Sequence, residues 1–310
     1  AVDVVASSLV LTPLGRVLAA LPTAPRVGKL LALGCAFRCL TPALIVAASL
    51  SYRSPFLTPS NRDDRDAAQA AQAALDSTSD HIAALRAYRG WEDAESQTGY
   101  ARRHYLSTAD LRAMRDTVRQ YKSHLARLGL PSLYSAAKAK GGGGGGGDEG
   151  GYYDARSGNA ALIKALLVGA FYPSVATVAV PVKKRGKQGG RRKVGAETLE
   201  LKTLDVFGKR AARSASGELN DRLVCVHPGS VLARSARFVA KAKQGLPQSK
   251  KQGQKKQQLT RKERNAAATL VPLHLVFFGR MKTSRVFLTD ATLVGPLPIL
   301  LFGAAMRAEV

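Results

Sequence analysis

Residues 9–57, LVLTPLGRVLAALPTAPRVGKLLALGCAFRCLTPALIVAASLSYRSPFL, read as three short helices laid end to end. Thr12 is placed to cap the first, and Pro13 sits in its opening turn, where a missing amide hydrogen costs nothing. Leu14, Val17, Leu18 and Leu21 then recur at i, i+3, i+4 and i+7, one apolar stripe on a helix surface. Pro22 and Pro25 end that helix and restart another, and Thr41-Pro42 repeats the cap-plus-proline start for a third.

The helical pattern continues outward from this stretch. Residues 62–75 form an Ala/Gln-rich helix, and the cluster 76–79, Asp-Ser-Thr-Ser, suits a capping turn. Ile82, Leu85 and Tyr88 share a face of the next helix, which Gly90 is expected to stop. Residues 107–128 hold the longest pattern, with Leu111, Met114, Val118, Tyr121, Leu125 and Leu128 at helical spacing behind a capping-box-like Ser107-Thr108-Ala109-Asp110.

The 310 residues suffice for two ordinary domains, and 45% apolar residues can fill their cores. The net charge of +25 favours a polyanionic partner, nucleic acid first and an anionic membrane surface second. No apolar run approaches the roughly 18 residues needed to cross a bilayer, and no membrane partner is expected. Cys35, Cys39 and Cys225 are the only cysteines. Cys35 and Cys39, four apart on one expected helix face, read as core residues in a reducing compartment rather than a disulfide. The histidines at 81, 104, 124, 227 and 274 lack metal-ligand spacing.

The second half differs. Residues 138–151 contain seven consecutive glycines, too costly to order, and are expected to be a flexible insertion. They are no phosphate loop, because no GK[ST] follows; Gly28-Lys29 is followed by Leu30 inside a helix. After a helix over 160–171, strand patterns fall at 175–182, 197–204, 222–227, 271–279 and 284–289. Five short strands with long loops suit a small closed barrel of the OB type.

Three sets of residues then resemble one family, in the correct order and over about two thirds of the chain. The first is Leu11–Gly15 (LTPLG), Leu21-Pro22, Arg26–Leu31 (RVGKLL), Phe37, Cys39-Leu40, Pro42-Ala43-Leu44, Ala47-Ala48 and Ser54-Pro55-Phe56. The second is Ser79-Asp80-His81, Ala87-Tyr88-Arg89-Gly90-Trp91, Tyr105-Leu106-Ser107 and Arg119-Gln120-Tyr121. The third runs from Lys164-Ala165-Leu166 and Phe171-Tyr172-Pro173-Ser174-Val175-Ala176 through Val226-His227-Pro228-Gly229-Ser230-Val231 to Phe277-Phe278, Lys282–Leu288, Asp290 and Pro298–Gly303. Together they resemble the C-terminal region of DEAH-box RNA helicases. Departures are Thr41, where the family commonly has Asp, and Gly229, where it usually has Ser. The resemblance implies an α+β chain: the end of a winged-helix region over 1–24, a helical ratchet domain over 25–135, the Gly-rich linker over 136–157, and an OB-fold domain over 158–310. Basic insertions over 183–195 and 233–269 interrupt the last. It makes the lone Trp91 a core anchor rather than a base-stacking residue.

The same resemblance implies a function. Ratchet and OB domains of this family close over single-stranded RNA, driven by RecA-like ATPase domains N-terminal in the same polypeptide; ATP and Mg belong to that parent. This chain lacks the GK[ST] and acidic helicase motifs and is expected to be inactive alone. A G-patch-type activator is a further partner the family accepts, and the expected setting is intracellular, in cytoplasm, nucleus or organelle. Beginning inside what looks like a folded unit, the chain reads as a fragment or truncated gene product. The rival reading is a stand-alone RNA-binding or ribosome-associated basic protein without motor activity. For RNA contact the favoured turn is Lys282-Thr283-Ser284-Arg285, whose cations and hydroxyls suit phosphate oxygens. Arg103 is a further candidate, as are Lys183, Lys184 and Arg185. The basic tracts admit two readings: electrostatic arms that neutralise phosphates, or solvated insertions without a role. No catalytic constellation stands out.

Overall fold

The computed structural model describes residues 2–5, 8–129, 150–178, 201–204, 224–234, 274–283 and 286–303. They cluster into two compact units, one of Ala1–Asp76 with His81–Phe171, the other of Ser77–Asp80 with Tyr172–Val310.

The first unit opens with an antiparallel pair, β1 (Val2–Val5) and β2 (Ser8–Leu11), Val2 facing Leu11. Thr12 then caps α1 (Pro13–Ala20) as expected, its hydroxyl oxygen accepting the Gly15 N–H at 3.0 Å. A cap of this kind contributes about 1 kcal/mol. Proline restarts the chain as α2 (Pro25–Ala36).

The start of α3 (Leu40–Ser51) corrects the expectation for Thr41. Cys39 occupies the N-cap without a side-chain capping bond, its thiol donating instead to the Arg156 carbonyl at 3.2 Å, so Cys39 does not follow Cys35 along α2. Its carbonyl accepts the Ala43 N–H at 3.2 Å, which draws Leu40 into the helix and leaves Thr41 inside the first turn. The cap comes from far away in sequence. Asp154 accepts the Thr41 N–H at 2.7 Å on Oδ1 and the Thr41 hydroxyl at 2.5 Å on Oδ2. A carboxylate at this end also meets the positive pole of the helix. The acid at this helix start is thus supplied 113 residues later in the chain.

Next come α4 (Arg62–Leu75), α5 (Asp80–Glu92), α6 (Gln97–Arg103) and α7 (Thr108–Arg127). Gly90 does not stop α5. It lies within the helix, where a Cβ would run into the Tyr100 ring from α6 unless that ring shifted. Ser107 caps α7 through the Asp110 N–H at 3.2 Å, and Leu111, Met114, Val118, Tyr121 and Leu125 are buried. Trp91 is wholly buried, the core anchor expected of it. A last helix, α8 (Ala160–Phe171), packs on α2, while α3 packs between α2 and α7.

The second unit is a five-stranded sheet in the order β4-β3-β6-β7-β5. Its strands are β3 (Val175–Val178), β4 (Leu201–Leu204), β5 (Cys225–Val226), β6 (His274–Lys282) and β7 (Val286–Val294). β5 runs parallel to β7 and every other pairing is antiparallel. Several bounds differ from expectation: β5 ends at Val226, β6 continues to Lys282, and β7 starts at Val286 and runs on to Val294. The β6–β7 cross-strand pairs extend to Lys282 opposite Val286, and each added pair satisfies backbone groups that a loop would leave to water. Among the described residues β4 and β5 are outer strands that do not pair with each other, so the sheet is open. A short helix, α9 (Pro296–Phe302), follows β7. Cys35, Cys39 and Cys225 are buried free thiols.

Candidate nucleic-acid interface

Among the described residues of the second unit, the long β6–β7 hairpin carries exposed cations. Along β6, burial gives way to exposure: Leu275, Val276 and Phe277 are buried, and Arg280, Met281 and Lys282 are exposed. The apolar end is welded into the sheet by β3, which pairs with β6 from His274 to Val276. The polar end projects beyond that pairing. Arg280 lies with its guanidinium carbon 5.1 Å from the centre of the buried Phe277 ring, a cation over an aromatic face.

Two backbone features hold the hairpin's shape. A Cβ on Gly279 would collide with the Thr289 hydroxyl, so glycine lets the paired strands close there. Asp290 adopts a left-handed φ of 51°, in the middle of β7, and its carboxyl is pushed up by burial, against the pull of Thr289 and His227. Short polar residues such as Asp tolerate that conformation best.

A buried carboxylate anchors the turn beside the hairpin. Asp80 accepts the Ser230 hydroxyl at 2.7 Å, the Val231 N–H at 2.8 Å and the Ala291 N–H at 2.9 Å. Burial pushes its pKa up to about 6, outweighing the three donors; Asp290 adds a smaller push in the same direction. Ser79 meets Thr292 through a buried hydroxyl pair at 2.7 Å. The His227-Pro228-Gly229-Ser230 turn is thereby fixed: His227 donates its N–H to the Leu288 carbonyl at 2.9 Å, and its Nδ1 accepts the Gly229 N–H at 3.1 Å. That last bond leaves the ring hydrogen on Nε2. The His227 ring stands edge-on to Phe287, centroids 6.0 Å apart at 85°.

Of the residues singled out from sequence, Lys282 and Thr283 lie together and exposed at the far end of β6. Ser284 and Arg285, and also Lys183, Lys184 and Arg185, lie outside the described residues. Arg103 ends α6 in the helical unit and is exposed. Beside it His104 stacks on Tyr100 at 4.3 Å, and burial together with Arg103 lowers the His104 pKa. Sequence reasoning missed Arg280, Met281 and Phe287 as a group, and it missed Asp80. An acid in a helix's first turn looks like an ordinary capping residue, and nothing local in the sequence links it to Ser230. Among the described residues no group of His, Cys, Asp and Glu could hold a metal ion, and no helix is long and apolar enough to cross a membrane.

Comparison with known proteins finds helicase relatives. Residues 24–84, from α2 to the first turns of α5, match the helicase-associated domain (HA2), ratchet-like. The chain is 31% identical to the DExH-box ATP-dependent RNA helicase DExH1 of Arabidopsis thaliana, over 94% of this chain and 22% of that protein. These matches support reading the chain as a C-terminal region of a DEAH-box RNA helicase. It is also 37% identical to the putative ATP-dependent RNA helicase DHX57 of Mus musculus, over 56% of this chain and 13% of that one. With the ATP-dependent DNA/RNA helicase DHX36 of Homo sapiens the identity is 27%, over 96% and 23%. The chain therefore spans about a fifth of the length of the curated relatives that cover most of it. The matched ratchet residues supply much of the helical core, including Leu30, Leu31, Leu44 and Ile82, all buried.

Proposed function

We propose that this C-terminal region is an RNA-clamping module. It holds single-stranded RNA while ATPase domains N-terminal to it in the parent polypeptide, using ATP and Mg, drive translocation and unwinding. The observation that carries the reading is the β6 end, where Arg280 and Lys282 are exposed beside Thr283 on a hairpin rooted in the sheet. Residues 274–289 contain no acid, and Asp290 lies farther along β7, so the turn end of the hairpin is cationic. The contact set is Lys282, Thr283, Ser284 and Arg285, with Arg103 and the tract Lys183, Lys184 and Arg185 as further phosphate partners.

The sheet supports an OB-type barrel as the framework. An order of β4-β3-β6-β7-β5 closes into a cylinder with a single additional pairing, β4 to β5. The domain limits proposed from sequence are a ratchet over 25–135, a linker over 136–157 and an OB domain over 158–310, after the end of a winged-helix region; Tyr153, Asp154 and the helix over 160–171 nevertheless belong to the first compact unit. Relatives whose printed names are those of RNA helicases are consistent with this use of the hairpin.

Titrating single-stranded RNA against the chain and its Lys282→Ala, Arg285→Ala double variant at several salt concentrations tests the proposal. Each phosphate left without its cation flattens the dependence of log affinity on log salt by about 0.7. Unchanged affinity and slope in the double variant remove this turn from the interface.

A further inference from the structure

The chain holds four Ser/Thr-Pro pairs: Thr12-Pro13, Thr41-Pro42, Ser54-Pro55 and Thr58-Pro59. Proline has no N–H, fixes its own φ and biases the residue before it towards extended backbone, so the pair is a compact signature that an enzyme can read on an open chain. The fold closes three of the four. The Thr12 hydroxyl oxygen holds the Gly15 N–H, and Pro13 is the first residue of α1. Thr41 gives its hydroxyl hydrogen to Asp154 from inside α3, where Pro42 is buried. Ser54 is exposed, but Pro55 is buried and its carbonyl accepts the Ser107 N–H at 2.8 Å.

Thr58 differs on each count. It is exposed, it lies outside every helix and strand, and Pro59 is half-buried rather than sealed in. Its neighbours are tethered through their backbone. Leu57 donates its N–H to the Tyr105 carbonyl at 2.9 Å, beside the bridge between Phe56 and Leu106. Arg65 of α4 reaches back from the other side, donating Nε to the Pro59 carbonyl at 3.1 Å and Nη2 to the Ser60 carbonyl at 2.8 Å. The Arg65 bonds are solvent-exposed, and bonds of that kind open locally at little cost. Arg62 and Arg65 are exposed cations within the next turn, alongside Asp63 and Asp64. Arg65 keeps further N–H donors for a phosphate.

We propose that Thr58 is a phosphorylation site for a proline-directed Ser/Thr kinase, selected by the fold from four candidates in the sequence. The γ-phosphoryl group of ATP passes to Thr58 Oγ1. The bond from the γ-phosphorus to the bridging oxygen breaks, a bond to Oγ1 forms, ADP leaves, and the hydroxyl proton goes to the kinase's own base. The product puts a charge of about −1.5 to −2 on this loop near pH 7. The site stands apart from the RNA-clamping reading and survives its failure.

The experiment treats the full chain with a mitogen-activated protein kinase, ATP and Mg, and maps the phosphate by mass spectrometry. Four short synthetic peptides run beside it, each carrying one of the four pairs, with Ser54 replaced by alanine in the Thr58 peptide. The peptides should all accept phosphate, whereas the folded chain should accept it at Thr58 alone. Thr58→Val, at an exposed position that folding tolerates, should abolish incorporation into the chain, and Thr58→Ser should keep it. Pro59→Ala should abolish it with the hydroxyl still present. Circular dichroism of each variant confirms that it is folded. A Thr58 peptide that is modified while Thr58 in the chain is not overturns the proposal. So does phosphate arriving at Thr12, Thr41 or Ser54 of the folded chain ahead of Thr58. Incorporation unchanged in Pro59→Ala, or a Thr58 peptide that the kinase ignores, overturns the proline-directed assignment.

Discussion

Replacing Asp80 by asparagine isolates the energy of a buried charge. The carboxyl has three donors, from Ser230, Val231 and Ala291, and no cation among the groups that shift it. Burial raises its pKa from 3.8 to about 6. A carboxyl whose folded pKa exceeds its unfolded one binds its proton more tightly when folded. Its contribution to stability is then full below 3.8 and is lost as pH rises through about 6. The gap between those values corresponds to roughly 3 kcal/mol. Asparagine keeps the shape and an acceptor oxygen but cannot ionise. Urea unfolding of both proteins between about pH 4 and pH 7.5 should therefore show the wild type losing up to about 3 kcal/mol relative to Asp80→Asn as pH rises. The difference between the two curves is the informative quantity. His81, also buried, has its pKa lowered to about 3 and gives the wild-type curve an opposing trend that the variant shares. Asp290, raised by burial, is likewise present in both. A flat difference, or a wild type that gains on the variant with rising pH, refutes the reasoning, because the three donors would then outweigh desolvation.

Further predictions concern packing and capping. Asp154→Ala removes the bonds to Thr41 and the Ser157 hydroxyl and should cost about 1–3 kcal/mol in denaturant unfolding. A Thr41→Asp substitution in the Asp154→Ala background should recover little, since Thr41 lies inside the helix and not at its cap. Gly90→Ala should destabilise through the clash with Tyr100 despite alanine's better helix propensity, and a double-mutant cycle with Tyr100→Ala should show coupling of about 1 kcal/mol or more. Trp91→Ala, at a fully buried site, should cost about 3–5 kcal/mol and lower the melting temperature accordingly.

Much of the helical unit is legible in the chain because its signals are local. Thr12 and Ser107 announce helix starts, proline spacing separates α1 from α2, and the Leu111–Leu125 spacing marks the buried face of α7. Misreadings arise where a distant residue decides. Thr41 looks like a cap, but Asp154 supplies that carboxylate from 113 positions away. Gly90 looks like a stop, but its lack of a side chain answers to Tyr100 on another helix. The strand patterns are visible, yet the end of β6 is not, because Arg280-Met281-Lys282 is polar enough to read as loop and is held extended only by its pairing with β7. The cations of the interface are therefore recognisable by type, whereas the pairing of Met281 with Phe287 and the edge-on contact of His227 depend on register and on a turn more than fifty residues earlier in the chain.

The most direct test of the clamp is a photocrosslinking map. The chain is irradiated with a single-stranded RNA carrying 4-thiouridine, and the attached peptides are identified by mass spectrometry. Adducts concentrated on residues 280–288, and reduced in Lys282→Ala, are the predicted result. Adducts confined to other segments, with none on the hairpin, contradict the proposal that it grips RNA.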